Sequence, residues 1–309
     1  MSIIRNEPAD IYHNNVAIGS HKLMDFDSAA GGHPKFFQKR YIEKSLEGMN
    51  TKAFLLGRVV HALALEDKND LTDSVTIIPQ NLLAKNGAKS TDEAKNFVKE
   101  RELKGEVVLT QKEHDEIIFD AKVLADAVRL DPEFKKFTMN GEPELTFRHK
   151  HKTGIDVQCR YDWINMDHPM GPRFFDLKTC DTLEDFFYGQ RNYHYNRQAS
   201  WYRDIGFTEV GEKMSSLLCV VEKKGTNRVQ WFGYTNQEIQ KGSELNQLAM
   251  HRLADCIERN YWPDDTGGII MLGSGVPRNT RVDFSIFSGK YHEMESELSK
   301  IKVEDLPSF

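Results

Sequence analysis

Apolar residues in 51–66 (Ala53, Phe54, Leu55, Leu56, Val59, Val60, Leu63, Leu65) fall on most sides of a helical projection, so this segment reads as a buried helix. Gly57 and His61 sit four residues apart on one face of it, where the glycine permits close approach of backbone to a neighbour or ligand. Capping boxes at Ser90-x-x-Glu93 and Thr110-x-x-Glu113 announce two further amphipathic helices, and Leu130-Asp131-Pro132 ends the second. Residues 67–140 otherwise carry no visible chemistry and read as a helical elaboration. Beyond residue 142 the period shortens to two, predicting strands over 143–150, 155–165 and 173–178. A helix is expected over 183–205, strands over 215–222 and 228–234, and a helix over 236–260. In 183–205, steps of four from Gln190 give His194, Gln198 and Tyr202 as a drifting polar stripe. The pattern predicts one α/β (α+β) domain over 1–309, with a central mixed sheet flanked by helices. Its parts are a helical 18–140, a sheet and support helix over 141–235, and a C-terminal helix with an unassigned tail over 236–309.

Chemistry concentrates in the sheet. Residues two apart share a face of a strand, so Asp176 and Lys178 point the same way and Leu177 the other. The turn signal His168-Pro169-Met170-Gly171 lies midway between Asp162 and Asp176, and a regular hairpin about Pro169 places the two aspartates opposite each other unless a bulge shifts the register. Like charges across strands are destabilising, and a hard cation that takes oxygen ligands from both is the usual reason to keep them. Mg2+, with Mn2+ as a possible substitute, on Asp162, Asp176 and the Leu177 carbonyl fits phosphodiester hydrolysis, with Lys178 orienting or deprotonating the water or stabilising the transition state. For an isolated D-x-K the alternative is a local ion pair on a strand edge. Here the apolar flanks Phe174-Phe175 and Trp163-Ile164 bury both strands.

These residues resemble the PD-(D/E)xK nuclease superfamily, and within it the RecE-like (exonuclease VIII) phage recombination exonucleases. The resemblance runs in family order through Ser20-His21-Lys22-Leu23, Pro34-Lys35-Phe36-Phe37, Gly57-x-x-x-His61-x-x-x-Leu65-Glu66, Val108-Leu109-Thr110, Gly141-Glu142-Pro143-Glu144, Arg160-Tyr161-Asp162, Asp176-Leu177-Lys178-Thr179 and Gln198-x-x-x-Tyr202. It covers about residues 18–235; Tyr161 stands where proline is common, and residues 265–309 match nothing. It implies a restriction-endonuclease-like core and makes His61 a metal ligand or a group near the scissile phosphate. Imidazole suits manganese better than magnesium, so a role behind the ligands is the alternative. Glu144 falls where a third acidic residue often stands near the metal, the alternative being a surface carboxylate. Gln198, Tyr202 and Arg160 are counted with residues that contact DNA. For Gln198 and Tyr202 the alternative is ordinary hydrogen bonding between elements. The resemblance further implies digestion of double-stranded DNA ends from 5′ to 3′, leaving a 3′ strand for a RecT-like annealing protein. Two alternatives are an endonuclease of restriction or repair type on the same fold, and a catalytically silent DNA-binding scaffold for recombination.

Composition bears on partners. The formal net charge of −6 is awkward for a DNA-binding chain, since phosphates are neutralised by Lys and Arg. One basic concentration, Arg148-His149-Lys150-His151-Lys152-Thr153-Gly154, reads as a hairpin that sends Arg148, Lys150 and Lys152 to one face, toward DNA or simply toward solvent. Few contacts per subunit favour enclosure of the duplex in a closed homo-oligomer, and the resemblance implies a ring of three or four chains. Cys159, Cys180, Cys219 and Cys256 form no C-x-x-C pair, which argues for reduced thiols and against zinc or an iron–sulphur cluster. No apolar run spans a bilayer and residues 1–7 lack a signal-peptide core, so the expected location is the cytoplasm, away from membranes. There is no phosphate loop, no H-E-x-x-H and no G-x-S-x-G, which leaves metal-assisted hydrolysis without ATP.

Overall fold

The computed structural model describes residues 2–46, 51–66, 75–104 and 106–263; the expected tail over 265–309 lies outside them. The chain opens with β1 (Ser2–Ile4), α1 (Ala9–Asn14), α2 (Ser20–Phe26), α3 (Pro34–Phe37) and α4 (Lys52–His61). Thr51 starts α4 by accepting a hydrogen bond from the Phe54 amide, and a π-turn over Ala62–Glu66 prolongs it. Next come β2 (Val75–Ile77), α5 (Asp92–Glu102), β3 (Val107–Leu109), α6 (Gln111–Leu130) and α7 (Pro132–Thr138). Both halves of the Thr110/Glu113 capping box form, and Asp131 ends α6 while capping α7, which has Pro132 in its first turn. The cap of α5 is Thr91 rather than Ser90, because the Thr91 hydroxyl is the one that accepts from the Ala94 amide. β2 and β3 pair in parallel, so this region is not purely helical as expected.

The second half contains β4 (Glu142–Lys150), β5 (Asp156–Asn165), β6 (Arg173–Cys180), α8 (Leu183–Gly189), α9 (Tyr195–Val210), β7 (Ser215–Glu222), β8 (Val229–Gly233) and α10 (Asn236–Arg259). Its sheet runs β1-β4-β5-β6-β7-β8; β6 and β7 are parallel, joined by α8 and α9, and the other neighbours are antiparallel. Each face buries its own apolar cluster. Leu145, Phe147, Tyr161 and Phe174 meet Trp201, Ile205 and Met250 on one side. Phe175, Leu177, Cys219 and Val221 meet Val59, Leu124 and Phe137 on the other. Burying each such side chain is worth about 1.5–3 kcal/mol. The sheet is therefore a clamped platform, and charged side chains on its strands are held by their neighbours' packing.

One expectation fails locally. The helix expected over 183–205 is broken: a 3-10 turn spans Gln190–Tyr193 and His194 takes the left-handed conformation at φ 52°, so α9 begins afresh at Tyr195. Gln190 and His194 thus leave the stripe that Gln198 and Tyr202 share. Among the described residues a Cβ on Gly57 would meet only Thr179 Oγ1, at 3.7 Å, so that face of α4 stays open. Close contact does require glycine at Gly32, whose Cβ would lie 2.1 Å from the Met24 carbonyl oxygen, and at Gly206, whose Cβ would lie 2.4 Å from Met214 Sδ and 2.6 Å from the Tyr161 hydroxyl.

Candidate active site

The site forms where the alternation of β5 slips. Val157, Cys159 and Tyr161 face the α9 side, yet Trp163 packs on the α4 side and Ile164 returns to the first. Asp162 sits at the slip. Opposite it on β4, between the pairs Pro143↔Trp163 and Leu145↔Tyr161, Glu144 has φ 53°, a left-handed conformation that costs a non-glycine residue about 1–3 kcal/mol. On the other side the β5–β6 ladder ends at Trp163↔Phe175, one step short of Asp162 and Asp176. The expected register between the two aspartates is thus approached but not paired. Instead the Leu177 amide donates to Asp162 Oδ2 at 2.7 Å, so the carboxylate satisfies the backbone where the ladder opens.

α4 delivers His61 to this gap. Its Nε2 lies 2.7 Å from the Leu177 carbonyl, which can only accept, so Nε2 carries the hydrogen. Nδ1 then turns its lone pair to Asp162 Oδ2, 3.5 Å away. Two electron-rich atoms in that position call for a proton or a cation between them. Burial lowers the His61 imidazole, against the charges of Glu144 and Asp176. Burial likewise drives the Asp162 carboxyl well above its usual range, and Asp176 adds to this. Glu144 is pushed up to about 7, by burial first, with Arg160 opposing and Asp162 reinforcing. His61, Glu144 and Asp162 place one donor atom each within 4.8 Å of one another, the metal-compatible group among the described residues.

Asp176 and Lys178 lie on the α9 side, as the two-residue spacing predicts. Asp176 is buried and pairs through Oδ2 with Lys178 Nζ, while Oδ1 accepts from Gln198 Nε2 at 3.1 Å. Burial alone would lower the Lys178 ammonium, but Asp176, Tyr195 and Asp162 outweigh it and raise it. Gln198 Nε2 also lies 3.4 Å from the Tyr202 hydroxyl, whose proton burial holds far more tightly than usual. Gln198 Oε1 is buried without a hydrogen-bond partner among the described residues. Gln198 and Tyr202 therefore brace Asp176; both are buried side chains rather than an open DNA surface.

Two of the expected basic DNA contacts are placed otherwise. Arg160 pairs with Glu144 and lies over the Tyr12 ring at 5.5 Å, so its charge is spent inside the site. Arg148 donates to the buried Glu7 at 2.6 Å and to Gln158 at 3.0 Å, and so leaves the basic face. Lys150 and Lys152 are exposed at the hairpin tip, with Lys150 3.0 Å from Asp156. Six residues of strand separate Lys150 from Glu144, so the tip stands roughly 20 Å from the acidic cluster. The Leu177 carbonyl, expected on a metal, accepts from His61.

Tyr195 was missed by sequence reasoning. Its ring lies 5.0 Å from Lys178 Nζ, and its place three residues before Gln198 on the same helical face was the available signal. Tyr12, brought in by the N-terminal segment, had none.

A strand-borne Asp-x-Lys, a neighbouring Asp and Glu, and a histidine across a slipped sheet are now joined by one comparison. Residues 35–273 match the family described as a PDDEXK-like domain of unknown function (DUF3799). The chain belongs to this family. Its mixed sheet flanked by helices is the PDDEXK-like, nuclease-type fold. The crystal structure of a "putative exonuclease" from Eubacterium rectale overlays this PDDEXK-like chain with a TM-score of 0.56 at 14% identity, covering 84% of this chain and 88% of that one. At that identity the likeness is one of fold. A second solved structure, SSO0001, overlaps at a TM-score of 0.30 and 14% identity over 67% of this chain and 88% of its own, and carries no argument. No curated protein matches the chain. No helix among the described residues is long and apolar enough to cross a membrane.

The residues fit a divalent cation. Two carboxylates held above their normal range and an imidazole lone pair aimed at one of them form a donor set that a cation would satisfy.

Proposed function

We propose that this chain is a metal-dependent, ATP-independent double-strand DNA exonuclease. The convergence of His61, Glu144 and Asp162 beside the Asp176–Lys178 pair carries the reading. Asp162, Asp176, Glu144 and His61 would hold the ion, His61 through Nδ1, with the Leu177 carbonyl as a further oxygen donor. Mg2+ or Mn2+ bound there supplies an acidified water and offsets the negative charge that develops on phosphorus. Lys178, kept as an ammonium by Asp176, provides a fixed positive charge for the transition state and positions the attacking water. Gln198 and Tyr202 keep Asp176 in place, so that the carboxylate needs no reorganisation during the reaction.

Digestion runs from 5′ to 3′ and leaves a 3′ strand for a RecT-like annealing protein; the RecE-like order of motifs supports this. The charge favours enclosure of the duplex in a closed ring, and the RecE-like resemblance supports three or four chains. The chain carries −6, and Arg148 and Arg160 are spent on internal acids, so neither is available to a phosphate and fewer contacts per subunit remain to hold DNA. The test is digestion of a linear duplex labelled at its 5′ or 3′ ends, beside a covalently closed circle, with Mg2+ or with chelator. Release of 5′ label from the linear substrate alone, and only with metal, is expected. Cutting of the closed circle would replace the proposal with an endonuclease.

A further inference from the structure

The segment between β6 and α9 shows solvent an aromatic surface that hydrolysis does not use. Phe187, Tyr188 and Tyr193 are 59%, 78% and 62% exposed. Phe187 and Tyr188 meet edge to face, ring centroids 5.3 Å apart. Tyr193 stacks on Tyr195 at 5.5 Å and 20°, and Tyr195 stacks in turn on the buried Phe186 at 5.7 Å and 17°. The ring between them, Tyr195, lies against Lys178 Nζ. A ladder of rings thus runs from the core, past the lysine of the D-x-K strand, to an open face at Tyr193. His194 in its left-handed conformation turns the chain there and holds the short 3-10 turn outward.

Arg191 is the cation that this segment offers a phosphate. Arg191, in the same turn, is exposed, and its guanidinium makes no ion pair among the described residues. Two of the three acids on the segment are ion-paired, Asp181 with Lys223 at 2.7 Å and Lys224 at 2.8 Å, and Glu184 with Arg228 at 3.1 Å; Asp185 accepts from the Thr182 hydroxyl at 2.7 Å and keeps its charge. No aliphatic side chain on 181–195 is exposed, so the surface offers π faces and one free cation rather than a greasy patch.

We propose that this surface docks an unpaired DNA strand beside the site, with bases stacking on Tyr193, Tyr188 and Phe187 and Arg191 taking a phosphate. Aromatic platforms with a basic companion bind single strands because every base has a π face. An intact duplex keeps those faces stacked inside and cannot use them. The inference rests on the nuclease reading and adds to it the substrate feature that is held: a strand already parted from its complement.

Fluorescence anisotropy of a labelled oligothymidylate, in chelator, tests it on the full chain. The double variant Tyr188→Ala/Tyr193→Ala should bind at least about tenfold more weakly, and Tyr188→Phe/Tyr193→Phe should bind like the parent. An abasic strand of the same length should bind the parent as weakly as the oligothymidylate binds the double Ala variant, while affinity for a blunt duplex should change little. All four are exposed-surface substitutions, and equal melting temperatures check that the fold is kept. Oligothymidylate binding within twofold of the parent in the Ala variant, or abasic binding equal to oligothymidylate binding, overturns the platform. Strand binding that follows the expected pattern in a chain that hydrolyses no DNA with metal would sink the nuclease reading alone.

Discussion

His61 Nδ1 stands 3.5 Å from Asp162 Oδ2, while the other ring nitrogen is engaged by the Leu177 carbonyl. The imidazole can therefore meet the carboxylate only through a shared cation or proton. If it serves the metal or the reacting phosphate, His61→Ala should lower the rate at least about tenfold, or roughly 1.4 kcal/mol of transition-state stabilisation. The lost hydrogen bond to Leu177 should cost the fold only about 1 kcal/mol. A large fall in melting temperature with specific activity preserved would make His61 a packing residue.

Asp162→Ala and Asp176→Ala should each remove nearly all hydrolysis while duplex binding holds or tightens, because a carboxylate facing a phosphate has gone. Lys178→Ala should abolish turnover but keep the metal-dependent rise in melting temperature. Substantial activity in Asp176→Ala would refute the site assignment.

Stability without metal should depend on pH through Glu144. Its folded value of about 7 lies above the ordinary 4.5, so the folded state binds the proton more tightly. The contribution is full below about 4.5 and is lost as pH rises through about 7, amounting to about 3 kcal/mol at most. Buried neutral histidines such as His151, lowered to about 4 chiefly by burial, act with the opposite sign. The comparison is thus between parent and Glu144→Gln in chelator: the parent's melting temperature should fall relative to the variant's between pH 5 and 8. Parallel curves would show that Glu144 ionises normally.

The basic residues should separate into two groups. Arg148→Ala leaves the buried Glu7 without its ion pair and should destabilise the fold by about 3 kcal/mol. Lys150→Ala and Lys152→Ala should leave melting unchanged and reduce the salt dependence of duplex binding by about one unit of slope each. Arg160→Ala should leave that slope alone, since its charge is committed to Glu144. A reduced slope for Arg160→Ala would return it to the DNA surface.

Light scattering on a size-exclusion column should give three or four chains, and digestion under way should continue after excess unlabelled duplex is added. A monomer whose digestion stops under that challenge would overturn the ring.

Much of the fold was written locally. Strand alternation alone put Asp176 and Lys178 on one face and Leu177 in the opposite core, because neighbouring side chains on an extended backbone must diverge. The capping box at Thr110 was equally legible, since a hydroxyl meets an amide three residues on wherever such a helix begins. Only the tertiary structure decided the rest. Nothing near residue 61 in sequence tells its imidazole to face a carbonyl 116 positions away; the packing of α4 on β6 does. The left-handed turns at Glu144 and His194 contradict local preference and exist because surrounding contacts over-determine them. Arg148 and Arg160 looked like free charges until the fold brought Glu7 and Glu144 beside them, for a charge is settled by its neighbours in space, and periodicity along the chain does not encode those.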